Sequence, residues 1–250
     1  MPRLELLCAV VLLLLSACAP RTVGTVTVAR PDAFSAAFSP RGVLWVTGGT
    51  AFLARAPQFR VEKLATPVPV ADVAWHDGDA WAALPSVALV VRLTGTGGSL
   101  QAGVAVKLSE SRIYREDGTA LTYSGESTAG LTGAPDAVVT GGDGLDYALQ
   151  GERLYRIGRE RSLVGASQGG PFLTPSPGGV LVSSVPSAVT RDFTYQLHDG
   201  QLLRQDASRT VRGAVPHLPG RVGLVGDLVV TVTREGQVRV FRYDLTEVKP

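Results

Sequence analysis

Thiols, imidazoles and asparagine are scarce in this chain of 250 residues, which has two cysteines, three histidines and no asparagine. Cys8 lies in an N-terminal apolar run that we interpret below as part of a signal peptide, so only Cys18 is left in the rest of the chain. A zinc or iron–sulfur site built on several thiolates is therefore excluded. The 24 basic and 22 acidic residues are interspersed and give a net charge of +2. Because no basic patch stands out, we expect no nucleic-acid partner.

Motifs of common catalytic sites are also missing. The chain has no Gly-x-Ser-x-Gly nucleophile elbow, no His-x-x-x-His pair and no EF-hand loop. His76 and His198 each begin a His-Asp-Gly triplet, but we expect adjacent residues of a turn to point apart. We interpret both triplets as turns and His217 as a loop residue with no partner visible in the sequence. No cofactor follows from these residues.

A short apolar segment opens the chain. Arg3 supplies a positive charge, and Leu6 to Leu15 form an apolar run of ten residues. A helix needs about 20 residues to cross the hydrocarbon core of a bilayer, so this run is too short to span it. Its position, charge and length are typical of a signal peptide.

The residues that end this run form a more specific pattern. Leu15-Ser16-Ala17-Cys18 resembles the lipobox of bacterial lipoproteins, in which an aliphatic and two small residues precede the lipidated cysteine. The resemblance implies cleavage before Cys18, a diacylglycerol on its sulfur and acylation of its new amine. Two or three acyl chains anchor a protein firmly, since each buried methylene contributes about 0.8 kcal/mol. The alternative is an ordinary secretory signal cut near Ala19.

These boundaries divide the chain into three parts. We expect residues 1–17 to be a lipoprotein signal peptide, residues 18–24 a lipidated tether and residues 25–250 one domain. The lipoprotein resemblance implies anchoring in the cell membrane or the outer membrane, with the domain facing the periplasm or the exterior.

One hairpin layout recurs along the domain. An apolar or aromatic residue precedes a short turn that ends in or contains Gly or Asp, and a second strand follows. Asp-Gly and Pro-Gly pairs between apolar runs favour tight hairpins, because Gly adopts the positive φ that these turns need. Six copies begin at Phe38, Trp75, Tyr114, Val139, Leu173 and Leu224.

A second recurring feature is a pair of apolar residues followed by Arg, which ends the third strand at Arg55, Arg92, Arg156, Arg204 and Arg242. Copies recur on average about every 37 residues, a period typical of solenoids and propellers. Apolar residues alternate or form short blocks, as strands do and helices do not. The sequence therefore predicts an all-β fold, a single β-propeller of about six four-stranded blades, with five and seven as the limits.

Ring closure needs one more strand, because the last copy supplies only three before Pro250. Thr25-Val26-Thr27-Val28 alternates polar and apolar residues, as a strand with two different faces does. We expect this N-terminal strand to become the outer edge of the last blade. Closure of this kind removes unpaired strand edges, which promote aggregation.

The propeller interpretation also predicts one candidate binding site. Aligned copies place Asp72, Asp136 and Arg221 at the start of innermost strands, on one mouth of the central channel. Carboxylate oxygens suit a calcium ion, and the three residues together suit a calcium or small-anion site. The alternative is that each Asp caps a loop where a strand begins. We interpret Trp45, Trp75 and Trp81 as core residues between blades rather than as a platform for a ligand.

Blade length and the strand ending in Arg are similar to those of six-bladed propellers with NHL-type repeats and their lactonase relatives, over most of residues 25–245. The lactonase site, as the resemblance implies, uses Asn beside acidic ligands, and this chain has none. Our first hypothesis is therefore a non-catalytic binding or scaffolding propeller, held at the membrane by lipid on Cys18, with an envelope protein or polymer as partner. The alternative is a calcium-dependent hydrolase or lactonase with Asp72 and Asp136 among its ligands.

Overall fold

The computed structural model describes residues 34–166 and 169–249, which form 26 β-strands and one short 3-10 turn at Pro85–Val87. They form seven sheets, and within each sheet strands that follow one another in the chain pair antiparallel. Within these residues no helix is long and apolar enough to cross a membrane. The predicted all-β fold is confirmed.

Blades 1 to 4 are four-stranded sheets. Blade 1 contains β1 to β4, at Phe34–Ser39, Gly42–Thr47, Thr50–Arg55 and Val61–Lys63. Blade 2 contains β5 to β8, at Asp72–His76, Asp79–Leu84, Leu89–Arg92 and Ser99–Gln101. Blade 3 contains β9 to β12, at Ala105–Leu108, Ile113–Arg115, Ala120–Leu121 and Ser127–Thr128. Blade 4 contains β13 to β16, at Ala137–Thr140, Asp146–Gln150, Arg153–Ile157 and Arg161–Ala166.

Blades 5 to 7 differ in size. Blade 5 has two strands in the described part of the chain, β17 and β18, at Phe172–Ser176 and Gly179–Ser183. Blade 6 contains β19 to β22, at Ser187–Val189, Phe193–His198, Gln201–Asp206 and Val211–Pro216. Blade 7 contains β23 to β26, at Gly220–Val225, Leu228–Thr233, Val238–Phe241 and Glu247–Val248.

The seven sheets form a closed ring. The innermost strands β1, β5, β9, β13, β17, β19 and β23 contact one another in that order, and β23 contacts β1. We call the side of the ring on which these strands begin the upper face and the side on which they end the lower face. A ring of this kind leaves a central channel along which the first residues of neighbouring blades approach each other. The propeller prediction is confirmed.

The ring has seven blades, at the upper limit of the expected range. The sequence pattern did not predict blade 6, because its first hairpin has no Gly-containing turn. The turn between β19 and β20 lacks Gly and is held by Thr190, whose Oγ1 accepts a 3.0 Å hydrogen bond from the N–H of Phe193. The apolar-apolar-Arg feature at Arg204 lies in β21 of this blade. Counted along the chain, this feature follows the copy that begins at Leu173, but that copy has no third strand among the described residues.

The third copy was placed one hairpin too late. Tyr114 and Leu121 lie in β10 and β11, so the Asp-Gly turn between them joins the second and third strands of blade 3. A Gly-containing turn satisfies the same backbone requirement wherever it lies in a blade, so the pattern cannot tell one hairpin from the next.

The outer edge of blade 7 also differs from our expectation. β26, at Glu247–Val248, pairs with β25 and provides the fourth strand that we had assigned to Thr25–Val28. Thr25–Val28, the signal peptide and Cys18 lie outside the described residues.

Apolar side chains hold most of the ring together. Clusters of buried residues lie between blades 1 and 2, 2 and 3, 3 and 4, 4 and 5, 6 and 7, and 7 and 1. Trp45 and Trp75 belong to two of these clusters, as expected, whereas Trp81 is partly exposed and packs at the edge of a third. Each cluster requires the alternation seen in the strands, because one side of every blade packs on the next blade.

Candidate functional site

Asp72 is buried at the first position of β5, with 5% of its surface exposed. Its Oδ1 accepts a 2.7 Å hydrogen bond from the hydroxyl of Ser35 in blade 1. Its Oδ2 accepts a 2.9 Å hydrogen bond from the backbone N–H of Leu108 in blade 3. Both carboxylate oxygens therefore join blade 2 to its two neighbours, which is a structural use of this charge.

Asp136 occupies a different environment one residue before β13. It is exposed, and its Oδ2 accepts a 2.7 Å hydrogen bond from the N–H of Gly151 in the turn between β14 and β15. This contact corresponds to the loop-capping alternative that the sequence left open. No hydrogen bond or ion pair joins Asp136 to Asp72 or Arg221, all three of which the structure describes.

Arg221, the second residue of β23, lies at the upper mouth of the channel. Its guanidinium carbon is 4.8 Å from the ring centroid of Phe34 in blade 1 and 5.0 Å from that of Phe172 in blade 5. Its two terminal nitrogens donate hydrogen bonds to the carbonyl oxygens of Phe34, at 2.8 Å, and Gly220, at 3.2 Å. Arg221 thus bridges blades that are not adjacent in the ring.

The electrostatics of Arg221 follow from this position. Burial, and then the positive charge of Arg234, lower the pKa of the Arg221 guanidinium to about 10. The guanidinium remains protonated at neutral pH, because its pKa lies well above 7. A half-buried cation between two rings gains a cation–π interaction but is stabilised further by any anion that reaches it.

The predicted calcium site stays a prediction. Asp72 and Asp136 both lie near the start of innermost strands, as the alignment required, but in separate hydrogen-bond networks. Among residues 34–166 and 169–249, no group of three or more His, Cys, Asp or Glu side chains is arranged to hold a metal ion.

The most extensive buried polar network lies around Asp146, which we did not predict. Asp146 is fully buried at the start of β14. Its Oδ2 accepts hydrogen bonds from Ser109 at 2.6 Å and Tyr114 at 2.9 Å, and lies 3.3 Å from an Arg112 nitrogen. Its Oδ1 accepts a 2.7 Å hydrogen bond from Thr140. No local signal in the sequence marks this network, because the partners of Asp146 lie in other strands and in two blades.

Two tyrosines respond to these carboxylates. Burial, and then the negative charge of Asp146, raise the pKa of Tyr114 far above its usual value. Burial and the charges of Asp72, Asp146 and Glu110 likewise raise the pKa of Tyr123. Both phenols therefore stay neutral at physiological pH and act as hydrogen-bond donors, Tyr114 to Asp146 and Tyr123 to a backbone carbonyl.

The His-Asp-Gly triplets behave differently from our expectation. His76 Nε2 lies 3.4 Å from Asp77, and His198 Nδ1 lies 3.0 Å from Asp199. Asp77 and Asp199 both have positive φ, at 50° and 48°. The two pairs lie on opposite faces of the ring, and each Asp is almost fully exposed, so each pair belongs to a surface turn.

His76 is also part of an aromatic stack on the lower face. Its ring lies 4.0 Å from that of Tyr123, with only 9° between the planes. Its Nδ1 is 2.7 Å from the carbonyl oxygen of Glu110, just beyond β9. The stack and the hydrogen bond connect blade 2 to blade 3 and leave this imidazole in a structural role.

His217 lies in a loop, as expected, but it is buried and has partners that were not visible in the sequence. Its Nε2 lies 2.6 Å from Thr231 Oγ1, and its Nδ1 lies 2.5 Å from the carbonyl oxygen of Leu218. Burial lowers its pKa below the usual value. Local sequence does not reveal this contact, because Thr231 lies in β24, 14 residues further along the chain.

The described surface also has two shallow clefts. One, of about 560 Å³, lies between blades 3 and 4, where Arg115 and Arg161 line it with Glu160. The other, of about 390 Å³, lies on the lower face between blades 1 and 2, where Arg41 and Arg55 face Asp79. Each mixes charges of both signs, and neither brings together a nucleophile, a base and an oxyanion donor.

Comparisons with known proteins point to no family. No family model matches the sequence, and no curated protein matches it. The solved structures that resemble it include PorZ of Porphyromonas gingivalis, described as a surface component of the type-IX secretion system. That match has 11% identity and a TM-score of 0.44, and it covers 90% of this chain but only 38% of PorZ.

Two other solved structures are similar to the same degree. The Pan2 WD40 domain of Neurospora crassa matches at 12% identity and a TM-score of 0.46, over 85% of this chain and 76% of that one. A chain of the mitotic checkpoint complex matches at 11% identity and a TM-score of 0.44, over 91% of this chain and 84% of that one. At these values the likenesses add nothing to the fold assignment, which rests on the ring itself.

Proposed function

We propose that this protein is a lipid-anchored propeller of the bacterial cell envelope, with a binding or scaffolding role rather than a catalytic one. The anchor is lipid on Cys18, and the partner is an envelope protein or polymer. The support for anchoring is the pattern Leu15-Ser16-Ala17-Cys18 at the end of an apolar run of signal-peptide length.

One observation carries the binding role. The buried groups most suited to chemistry, Asp72, Asp146 and His217, are each held by hydrogen bonds within or between blades. A catalytic acid or base must reach a substrate proton, so a carboxylate whose oxygens are occupied by protein donors is poorly placed for that task. Hydrogen bonds of this kind instead hold neighbouring strands and blades in place. A rigid ring suits a surface that binds a partner without changing shape.

The perimeter offers apolar surface for such a partner. Leu163 and Val164 are adjacent on β16, and 61% and 53% of their surfaces are exposed. Every residue of this outer strand is exposed, and β16 is the last strand of its sheet. An exposed strand edge with apolar side chains favours association with another chain.

The anchor is tested on the full chain expressed in a diderm bacterium. We expect the mature protein to begin at Cys18, with a mass increased by the lipid, and to stay in the membrane fraction after a high-salt wash. The variant Cys18→Ser should lose the lipid and be released. A mature N-terminus at Ala19 or beyond, without lipid, would show the secretory alternative to be correct.

The binding role is tested with a photo-crosslinking amino acid in place of Leu163. The control carries it in place of Val61, which is 50% exposed on the outer strand of blade 1. We expect a discrete crosslinked product in the envelope at position 163 and none at position 61. Equal, diffuse crosslinking at both positions would contradict a specific surface around β16.

A further inference from the structure

Two arginines line the cleft between blades 1 and 2 on the lower face. Arg41 lies in the turn between β1 and β2, and Arg55 is the last residue of β3. The backbone N–H of Ala56 donates a 3.0 Å hydrogen bond to the carbonyl oxygen of Arg41, which fixes the two segments to each other. The cleft has a volume of about 390 Å³, a size found among small-molecule sites. Every residue that lines it belongs to the part of the chain that the structure describes.

The charges of these two arginines are not neutralised within residues 34–166 and 169–249. No ion pair or hydrogen bond there involves the guanidinium of Arg41 or of Arg55. Asp79 supplies the carboxylate of the cleft, and both of its oxygens already have partners. Its Oδ2 accepts a 3.2 Å hydrogen bond from Arg92, and its Oδ1 accepts a 3.1 Å hydrogen bond from the hydroxyl of Thr94. The cleft therefore has an excess of positive charge with open hydrogen-bond donors.

The guanidinium of Arg41 is held in place by a glycine of the neighbouring blade. Gly78, in the turn between β5 and β6, has a φ of +76°. The guanidinium fills the space of a Cβ on Gly78, since the position of that atom is 2.7 Å from Cζ of Arg41 and 2.8 Å from its terminal nitrogen. The cation therefore packs on the backbone of blade 2, although Arg41 belongs to blade 1. A group that is already in position loses less conformational entropy when a ligand binds.

We propose that this cleft is a binding site for a phosphate group, with Arg41 and Arg55 as the residues that bind it. The planar N–H groups of a guanidinium match the oxygens of a phosphate, and the charge strengthens these hydrogen bonds. A phosphate monoester carries a charge of about −1.5 to −2 at pH 7, so one such group balances both arginines. A carboxylate balances only one of them. Phosphate monoesters occur in soluble metabolites and in lipid headgroups, and binding experiments can separate these two sources.

The cleft is separate from the features on which the proposed function rests. None of its lining residues belongs to β16, and no contact within it depends on Cys18. Failure to bind phosphate would leave the proposed anchor and the surface around β16 as they stand. Loss of the anchor or of crosslinking at position 163 would likewise leave the phosphate site unaffected.

The first test is isothermal titration calorimetry of the full chain with inorganic phosphate at low salt. We expect saturable binding that becomes weaker by about tenfold or more in Arg41→Gln and in Arg55→Gln, because each variant removes charge-assisted hydrogen bonds. The control is Arg159→Gln, which removes an exposed arginine from the turn between β15 and β16 on the same face. This control should leave the Kd unchanged. No saturable binding to the unaltered chain, or an equal loss in all three variants, would overturn the proposal.

A second variant keeps both positive charges. Gly78→Ala displaces the guanidinium of Arg41, and we expect it to weaken phosphate binding by about threefold or more. Gly144→Ala is the matched control, because Gly144 has a φ of +77° and an added Cβ there meets nothing within 4 Å. Both variants introduce the same backbone strain, so only the position of Arg41 differs between them. Equal affinities in the two variants would contradict a binding role for Arg41.

The class of anion is tested with acetate. A carboxylate balances one arginine and forms fewer hydrogen bonds, so we expect acetate to bind weaker than inorganic phosphate by about tenfold or more. Acetate that binds as tightly as phosphate would overturn the assignment to phosphate.

Two further probes identify the source of the phosphate group. Glycerol 3-phosphate is a soluble monoester, and vesicles of phosphatidylcholine with phosphatidic acid present the same group on a lipid surface. The vesicles are added to the Cys18→Ser chain, so that lipid on Cys18 does not contribute. Binding of glycerol 3-phosphate that is lost in Arg41→Gln and Arg55→Gln would assign a soluble ester. Vesicle binding that the same substitutions abolish would assign a lipid headgroup, and binding of neither probe would overturn the proposal.

Discussion

The hydroxyl of Ser35 donates a 2.7 Å hydrogen bond to the carboxylate of Asp72, which follows it by 37 residues. Ser109 and Asp146 repeat this relationship at 2.6 Å and at the same separation. In both cases the serine lies in one blade or just beyond its first strand, and the aspartate lies in the next blade. The two contacts are not equivalent positions of one repeat, because Asp72 begins the innermost strand of blade 2 and Asp146 begins the second strand of blade 4.

The Asp146 network predicts a large loss of stability on substitution. Asp146→Asn removes the charge that faces Arg112 and turns one acceptor oxygen toward Ser109 and Tyr114 into a donor. We expect the free energy of unfolding, measured by urea denaturation, to fall by about 2–4 kcal/mol. The reason is that breaking a buried charged network leaves its partners unsatisfied. The control is Asp192→Asn at an exposed turn, which should change the value by less than about 0.5 kcal/mol. Equal effects of the two variants would contradict this prediction.

The close contact between blades 7 and 1 depends on the absence of a side chain at Gly223. The ring of Phe38 in β1 fills the space that a Cβ on Gly223 in β23 would occupy. We expect Gly223→Ala to lower the free energy of unfolding by about 1–3 kcal/mol, because overpacking forces neighbouring groups to move.

Gly165→Ala is the matched control for this effect. Gly165 lies on β16, and an added Cβ there meets nothing within 4 Å. Differential scanning calorimetry should show a lower Tm for Gly223→Ala only. A Tm for Gly223→Ala equal to that of the unaltered protein would mean that β1 and β23 pack less closely than described.

Burial of His217 predicts a pH dependence of stability. Burial lowers the pKa of His217 in the folded protein below its unfolded value of 6.5. The unfolded chain therefore binds more protons between these two values, and the free energy of unfolding falls as the pH decreases through about 6.5. The contribution of His217 is complete above this pH and lost below the folded pKa.

The measurement is urea denaturation at pH 7.5, 6.5 and 5.5. We expect His217→Gln to flatten the decrease over this interval, by up to about 1.4 kcal/mol per pH unit. His198→Gln, at a half-exposed side chain, serves as the control. A slope that is unchanged in His217→Gln would assign the pH dependence to other groups.

A calcium titration separates the two functional hypotheses. Asp72 and Asp136 belong to separate networks, so we expect the Tm of the full chain to be unaffected by calcium up to millimolar concentration. A calcium ion at 100 times its Kd would stabilise the protein by about 2.7 kcal/mol. A calcium-induced rise in Tm that Asp72→Asn and Asp136→Asn abolish, but Asp192→Asn does not, would favour the hydrolase alternative.

The candidate site was only partly predictable. The positions of Asp72 and Arg221 near strand starts could be predicted, because strand starts in a propeller approach the channel. The environment of each was not predictable, since Arg221 meets Phe34 and Phe172 only after residues far apart in the chain come together. Asp146 and His217 were missed because their partners lie in other strands or blades, and local pattern carries no information about such contacts.

Local sequence was enough for the class of fold. Alternating apolar residues require strands with two unlike faces, and Gly-containing turns at a period near 37 residues require that the same small sheet be repeated. The pattern Leu15-Ser16-Ala17-Cys18, from which we predict lipidation, is likewise a short local stretch of chain.

Only the tertiary structure decided the number of blades, the strand at the edge of blade 7 and, within residues 34–166 and 169–249, the two-stranded form of blade 5. Blade 6 has a turn held by Thr190 instead of Gly, and blade 5 passes from β18 directly into β19. A repeat counted along the chain detects turns, whereas a blade is defined by which strands pair. Pairing depends on ring closure, because the last sheet must pack against the first.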